Sequence, residues 1–110
     1  MRDAERCDKI FSALSDERRR LALAFLAEHQ EMTLPDLADQ IAERERRTAL
    51  SDISPEWVTT LYLELYHSHV PRLEDADLVT YSQEHDRVMV TELGDHVCQS
   101  VLEPVEALLS

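Results

Sequence analysis

Thr59, Thr60, Glu64, His67, Ser68 and Arg72 fall on the side of one long helical pattern that carries no apolar stripe. These side chains can meet the edges and phosphates of a nucleic acid. Arginine grips guanine bidentately, while threonine and serine reach either a base edge or a phosphate oxygen. The plain alternative is a solvated polar face. Arg44, Arg46 and Arg47 form a cluster suited to clamping a phosphate backbone, with the isolated Arg87 as a further contact. Their competing use is pairing with nearby acids such as Glu43 or Asp39, worth only about 0.2–0.5 kcal/mol each. Arg18-Arg19-Arg20 offers a third cationic cluster, but its place in the first turns of a helix points to at least one structural ion pair.

Other chemistries fare worse. His67 and His69 are two apart, so on a helix they point in different directions and do not chelate together. Cys7 and Cys98 are lone thiols without a C-x-x-C spacing. Asp95 and His96 lack a matching second pair downstream, so neither a metal nor a cofactor is expected. A glycine-rich phosphate loop, a nucleophile elbow and an H-E-x-x-H pair are all missing, which argues against an enzyme.

Charge complicates the nucleic-acid reading. The chain has 110 residues, 11 basic and 23 acidic, for a net charge of −12. Duplex binders normally carry a basic face. Residues 1–63 hold 13 acids and 9 bases, whereas residues 64–110 hold 10 acids and only 2 bases. All the bases but Lys9 are arginines, and an acidic excess almost without lysine is the surface expected in a salt-rich cytoplasm. In molar salt, phosphate attraction is screened within about 3 Å, and counterion release weakens. A halophilic reader of DNA would then depend on close contact and shape. No apolar run approaches a membrane span, and Met1-Arg2-Asp3-Ala4-Glu5 is not a signal peptide, so a cytoplasmic protein is expected.

The elements that would hold these residues follow from periodicity. One glycine and four prolines favour long helices. A first helix spans about 4–14, with Cys7, Ile10, Phe11 and Leu14 on one side. Ser15 is a candidate cap for a second helix that buries Leu21, Phe25 and Leu26, with Leu23 on its flank. Thr33 and Asp36 resemble a capping box before a third helix with Leu34, Leu37, Ala38 and Ile41 inside. After a polar break at 48–54, Ser54-Pro55-Glu56 opens the 55–76 helix. Val58, Leu61, Tyr62, Leu65, Tyr66, Val70 and Leu73 face its core, and Pro71 is expected to kink it. Strands at 78–82 and 87–91 flank the turn Gln83-Glu84-His85-Asp86, and a last helix follows Thr91. A helix running into a hairpin is how a winged helix-turn-helix domain ends, and that fold sets its helix in a major groove with the hairpin beside it. The expected fold is therefore mainly α with a small β-hairpin. It makes one domain over 1–110: an N-terminal helix to residue 14, a winged-helix core over 15–91 and a C-terminal helix over 92–110.

The run Ile10-Phe-Ser-Ala-Leu-Ser-Asp-Glu-Arg-Arg-Arg-Leu-Ala-Leu-Ala-Phe-Leu26 resembles the opening of ArsR-type winged-helix repressors. Leu34-Pro-Asp-Leu-Ala-Asp-Gln-Ile41 looks like their helix before the turn, and His69-Val-Pro-Arg-Leu-Glu-Asp-Ala-Asp-Leu-Val79 like the end of their recognition helix and first wing strand. The chain departs from that family at Asp77, where glycine is usual, and over 42–57, which is longer than the compact family turn. The whole chain is similar to a group of uncharacterised haloarchaeal winged-helix proteins. The resemblance implies a transcriptional regulator binding double-stranded DNA.

The last helix has more apolar surface than a small domain needs. With the first helix it is expected to form a homodimer interface from Cys7, Ile10, Phe11, Leu93, Val97, Val101, Leu102, Val105, Leu108 and Leu109. The alternative function is a winged-helix module for protein–protein contact, favoured by the acidity of residues 64–110.

Overall fold

The computed structural model describes residues 2–110. Helices α1 (Asp3–Leu14), α2 (Glu17–His29) and α3 (Leu34–Arg46) precede a short 3-10 turn at Leu50–Asp52. Helix α4 (Pro55–Glu64) continues through a π turn at Leu65–His69 into α5 (Val70–Asp75). The hairpin of β2 (Val79–Ser82) and β3 (Arg87–Val90) follows. Then α6 (Glu92–Val97) runs through a second π turn, Cys98–Leu102, into α7 (Glu103–Leu109). This is the mainly helical fold with a small β-hairpin that the periodicity predicts.

One strand is additional. Glu31–Thr33 forms β1 and pairs antiparallel with β3, so the sheet order is β1-β3-β2. Met32, opposite Val88, is its buried residue.

Local chemistry explains the boundaries. Asp16, not Ser15, caps α2: its carboxylate accepts the backbone N–H groups of Arg18 and Arg19 at 2.8 and 3.2 Å. Ser15 instead ends α1, its hydroxyl donating to the Ser12 carbonyl. Thr33, Ser54 and Thr91 cap α3, α4 and α6 through hydroxyls that accept from Asp36, Trp57 and Gly94. Leu23 is completely buried and Leu21 half-buried, the reverse of their expected ranking on α2.

Both internal prolines are absorbed by π turns rather than by breaks. Val70 donates to the Leu65 carbonyl and Glu103 to the Cys98 carbonyl, each five residues back. Pro71 and Pro104 each stand second after such a turn. The wider turn loosens the register in which a proline ring would strike the carbonyl four residues earlier. It also sets the fully buried Leu65 and Val70 one above the other, so a single buried face runs through Leu61, Leu65, Val70 and Leu73.

The exit of α5 is a Schellman motif. Leu78 donates to the Leu73 carbonyl and Asp77 to that of Glu74, with Leu73 and Leu78 both fully buried. Asp77 takes the left-handed conformation at φ 61°, so it occupies the backbone geometry that glycine usually supplies at such an exit. The departure at Asp77 therefore leaves the helix-to-hairpin path intact.

Candidate nucleic-acid interface

The outward face of the 55–75 helix is continuous. Thr59, Thr60, Leu63, Glu64, His67, Ser68, Pro71 and Arg72 are all exposed, while the residues between them pack inward. The predicted positions thus share one stripe. Thr60 bonds back to the Glu56 carbonyl at 3.0 Å, and the His67 ring stands edge-on to Tyr66. Arg72 makes no side-chain hydrogen bond or ion pair among the described residues.

The acids of this helix matter most, because each would repel a phosphate backbone. Glu64 accepts from the Arg18 guanidinium at 2.5 Å. Glu74 accepts the backbone N–H of Tyr81 at 3.1 Å. Asp75 pairs with Lys9 of α1 at 3.1 Å. All three are therefore engaged within the protein. The other exposed groups of the stripe are hydroxyl, imidazole and apolar, with the positive charge of Arg72, although Glu64, Glu74 and Asp75 also stay exposed. Glu56, hydrogen-bonded by Ser54 at the helix start, is a further acid near the stripe.

Arg18 is more than Glu64's partner. Its Nε and Nη2 bind both carboxylate oxygens of Glu45 at 2.8 and 2.7 Å, joining α2, α3 and α4. The two acids hold the guanidinium in its charged form: the Glu45 hydrogen bond pushes its pKa up further against burial. Arg19 is buried and donates to the Ala13 and Ser12 carbonyls at 2.6 and 3.3 Å, while Arg20 donates to that of Leu14 at 2.8 Å. All three carbonyls lie in the last turn of α1, where no further helical turn follows to use them. The Arg18-Arg19-Arg20 cluster is thus committed to the fold.

The other cluster borders the stripe. Arg46 lies over the Trp57 ring at 5.4 Å, near the start of α4, and Arg44 lies over Phe25 at 5.1 Å. Arg44 and Arg47 line an open groove of about 1230 Å³ that Glu64 and His69 of the long helix also reach, together with Glu17, Glu45 and Glu106. Arg87 is turned to Glu31 across the sheet at 3.4 Å and is partly neutralised.

The wing is pinned to the helix. Asp86, at φ 48° in the hairpin turn, accepts hydroxyl protons from both Tyr62 of α4 and Tyr81 of β2. Its backbone carbonyl also accepts the Leu34 N–H at 2.7 Å. Gln83 donates to the Tyr66 hydroxyl. The Asp86 hydrogen bond pushes the Tyr62 pKa up to about 12, because ionisation would set a phenolate against a carboxylate.

At the inner edge of the helix, His69 Nδ1 lies 3.3 Å from an Arg19 nitrogen, so a neutral imidazole accepts there. Burial holds the His69 pKa below its ordinary 6.5; the nearby Asp16 carboxylate opposes that shift and the Arg19 charge adds to it. The folded pKa lies below the unfolded one, so this group's stabilisation is complete above pH 6.5 and is lost as pH falls below it. The urea midpoint of the wild type should therefore fall between pH 7.5 and 5.5 more steeply than that of His69→Gln. Equal slopes would remove His69 from the account.

Among the described residues, no group of three His, Cys, Asp or Glu side chains could hold a metal ion, and no helix is long and apolar enough to cross a membrane. The expected dimer residues divide. Cys7, Phe11, Val105, Leu108 and Leu109 are exposed, and Ile10, Leu93 and Val101 are half-buried. Val97 and Leu102 correct the expectation: they are buried with Cys98 in the protomer's own core, where the segment packs against α2.

Arg18 supplies the structural ion pair expected of its cluster, whereas sequence reasoning gives no role to Leu63, Glu45 or Asp86 in this region. Only Leu63 carried a local signal, as an apolar residue off the buried stripe. No curated protein and no solved structure matches the chain. Residues 11–89, most of the chain and all of the stripe and wing up to Met89, match the family described as Domain of unknown function (DUF7344), and the chain belongs to that family.

Proposed function

We propose that this chain is a winged-helix transcriptional regulator of a salt-rich cytoplasm, acting as a homodimer that reads duplex DNA with its 55–75 helix. The observation that carries this reading is the engagement of Glu64, Glu74 and Asp75 by Arg18, the Tyr81 amide and Lys9. A net charge of −12 opposes close approach. Along this face Lys9 pairs Asp75, and Arg18 holds Glu64 with a charge it shares with Glu45. Glu74, bonded by a neutral amide, and Glu56 keep their charges. Arg72 lies on the stripe, and Arg44, Arg46 and Arg47 border it as backbone contacts. The dimer is supported by Phe11, Leu108 and Leu109, which are 64%, 85% and 83% exposed. Nothing in the reading calls for a cofactor or a catalytic step.

The test is selection from fragmented genomic DNA in multi-molar KCl, followed by anisotropy on the enriched duplex. Arg72→Ala should weaken binding about tenfold, the low end for a lost arginine contact. Arg18→Gln should also weaken it, most at the lowest salt in which the protein folds, by releasing the Glu64 charge. Adding Glu64→Gln to that variant should restore affinity. No enriched sequence at any salt, in a folded protein, would overturn the proposal.

A second reading is a protein-interaction module with DNA binding lost. It is favoured by the excess of acids over residues 64–110 and by the bare Leu108 and Leu109.

A further inference from the structure

We infer that Leu63 reads the 5-methyl group of a thymine, so that the duplex selected by this chain carries an A·T pair opposite the last turn of α4; this rests on the DNA-binding reading above. Leu63 is 46% exposed at the centre of the stripe, although the chain buries its other α4 and π-turn leucines, Leu61 and Leu65, almost completely. It takes no part in the core. Thr59 and Thr60 lie one turn before it and His67 one turn after, all exposed. Its neighbour Glu64 is drawn aside to Arg18. The middle of the reading face is therefore an isobutyl group flanked by hydroxyl and imidazole groups.

Such a centre discriminates among base pairs. In the major groove, guanine presents two acceptors and cytosine an amino donor. A leucine over any of these shields it from water and returns no hydrogen bond, which is costly. Thymine alone presents a methyl group, and burying it against Leu63 removes apolar surface from water on both sides. Threonine hydroxyls beside the leucine can serve the thymine O4 or the adenine edge of the same or the next pair.

The experiment uses the full chain and the duplex enriched by selection. Each thymine is replaced in turn by deoxyuridine, which keeps pairing and removes only the methyl. One replacement should weaken wild-type binding about fourfold, the value of one buried methyl. Leu63→Ala should bind the parent duplex more weakly, lose its sensitivity to that replacement and melt close to wild type, since half the side chain is already in water. If no thymine is sensitive, or if Leu63→Ala keeps the sensitivity, the inference fails while DNA binding stands. If no duplex is enriched at all, the DNA reading fails and takes this inference with it.

Discussion

Gly94→Ala should destabilise the protein by about 3 kcal/mol, at the upper end of ordinary overpacking. For a domain near this size, that is a fall in melting temperature of roughly 12–24 °C. Helix propensity alone predicts the opposite sign, because glycine in a helix costs about 0.5–1 kcal/mol relative to alanine. Gly94 lies in the first turn of α6, so the replacement would ordinarily help. Geometry decides otherwise. A Cβ built at Gly94 would lie 2.1 Å from the Leu78 carbonyl oxygen and 2.8 Å from Val90 Cγ2. The valine methyl could give way; the carbonyl cannot. It ends the Schellman exit of α5 and already accepts the Thr91 N–H at 3.0 Å, while the Thr91 hydroxyl donates to the Asp77 carbonyl. Relief therefore requires α6 to lift from the junction at which the long helix, the hairpin and the C-terminal helix meet. Adding Val90→Ala should recover little of the loss, since it removes only the softer contact. Thermal melts of the three proteins in the same salt check this, and a Gly94→Ala protein melting within 2 °C of wild type would show that the junction is looser than described.

The same junction shows what a sequence can and cannot disclose. Local signals are legible. Thr33, Ser54 and Thr91 cap the helices they precede, because a cap involves residues within three positions of one another. The inward stripe from Val58 to Leu73 shows as spacing because one helix presents it to one core. Adjacent capping residues are harder: Ser15 and Asp16 both suit a helix start, and only the path of the backbone selects the aspartate. Strand β1 has three residues and owes its existence to β3, more than fifty positions away, so no local pattern announces it. Distance in sequence also hid the electrostatics of the candidate site. Arg18 meets Glu45 and Glu64 across 27 and 46 positions, so composition cannot show that the fold sets both acids against one guanidinium. Leu63 was passed over for a different reason. Periodicity leaves it off the buried stripe, but whether such a residue is covered by another element or stays exposed is a property of the assembled surface.

Asp86→Ala should cost about 3 kcal/mol and release the hairpin from the 55–75 helix, whereas Asp86→Asn should cost much less. Two effects combine in the alanine variant. Alanine at φ 48° is strained by roughly 1–2 kcal/mol, a conformation asparagine tolerates. The Tyr62 and Tyr81 hydroxyls also lose a shared charged acceptor, and hydrogen bonds to charged groups are worth about 1.5–3 kcal/mol each. Both rings are only half-buried, so the lower end applies and water recovers part of the loss. The phenols report the mechanism directly. Tyr62, held at about 12 by the Asp86 hydrogen bond, should titrate nearer 10 once the carboxylate is gone, and Tyr81, raised by burial and by the same carboxylate, should fall too. A raised folded pKa means that this stabilisation is complete below pH 10 and is lost as pH climbs towards 12. Wild-type protein should therefore weaken across that alkaline window more than Asp86→Asn, which keeps the turn but not the charge. Tyrosinate absorbance followed through the titration separates the outcomes: unchanged phenol pKa values in Asp86→Asn would remove Asp86 as their anchor. If DNA is read as proposed, the alanine variant should also lose affinity beyond its stability deficit, because a wing no longer fixed to α4 by Tyr62 cannot hold its angle beside the groove.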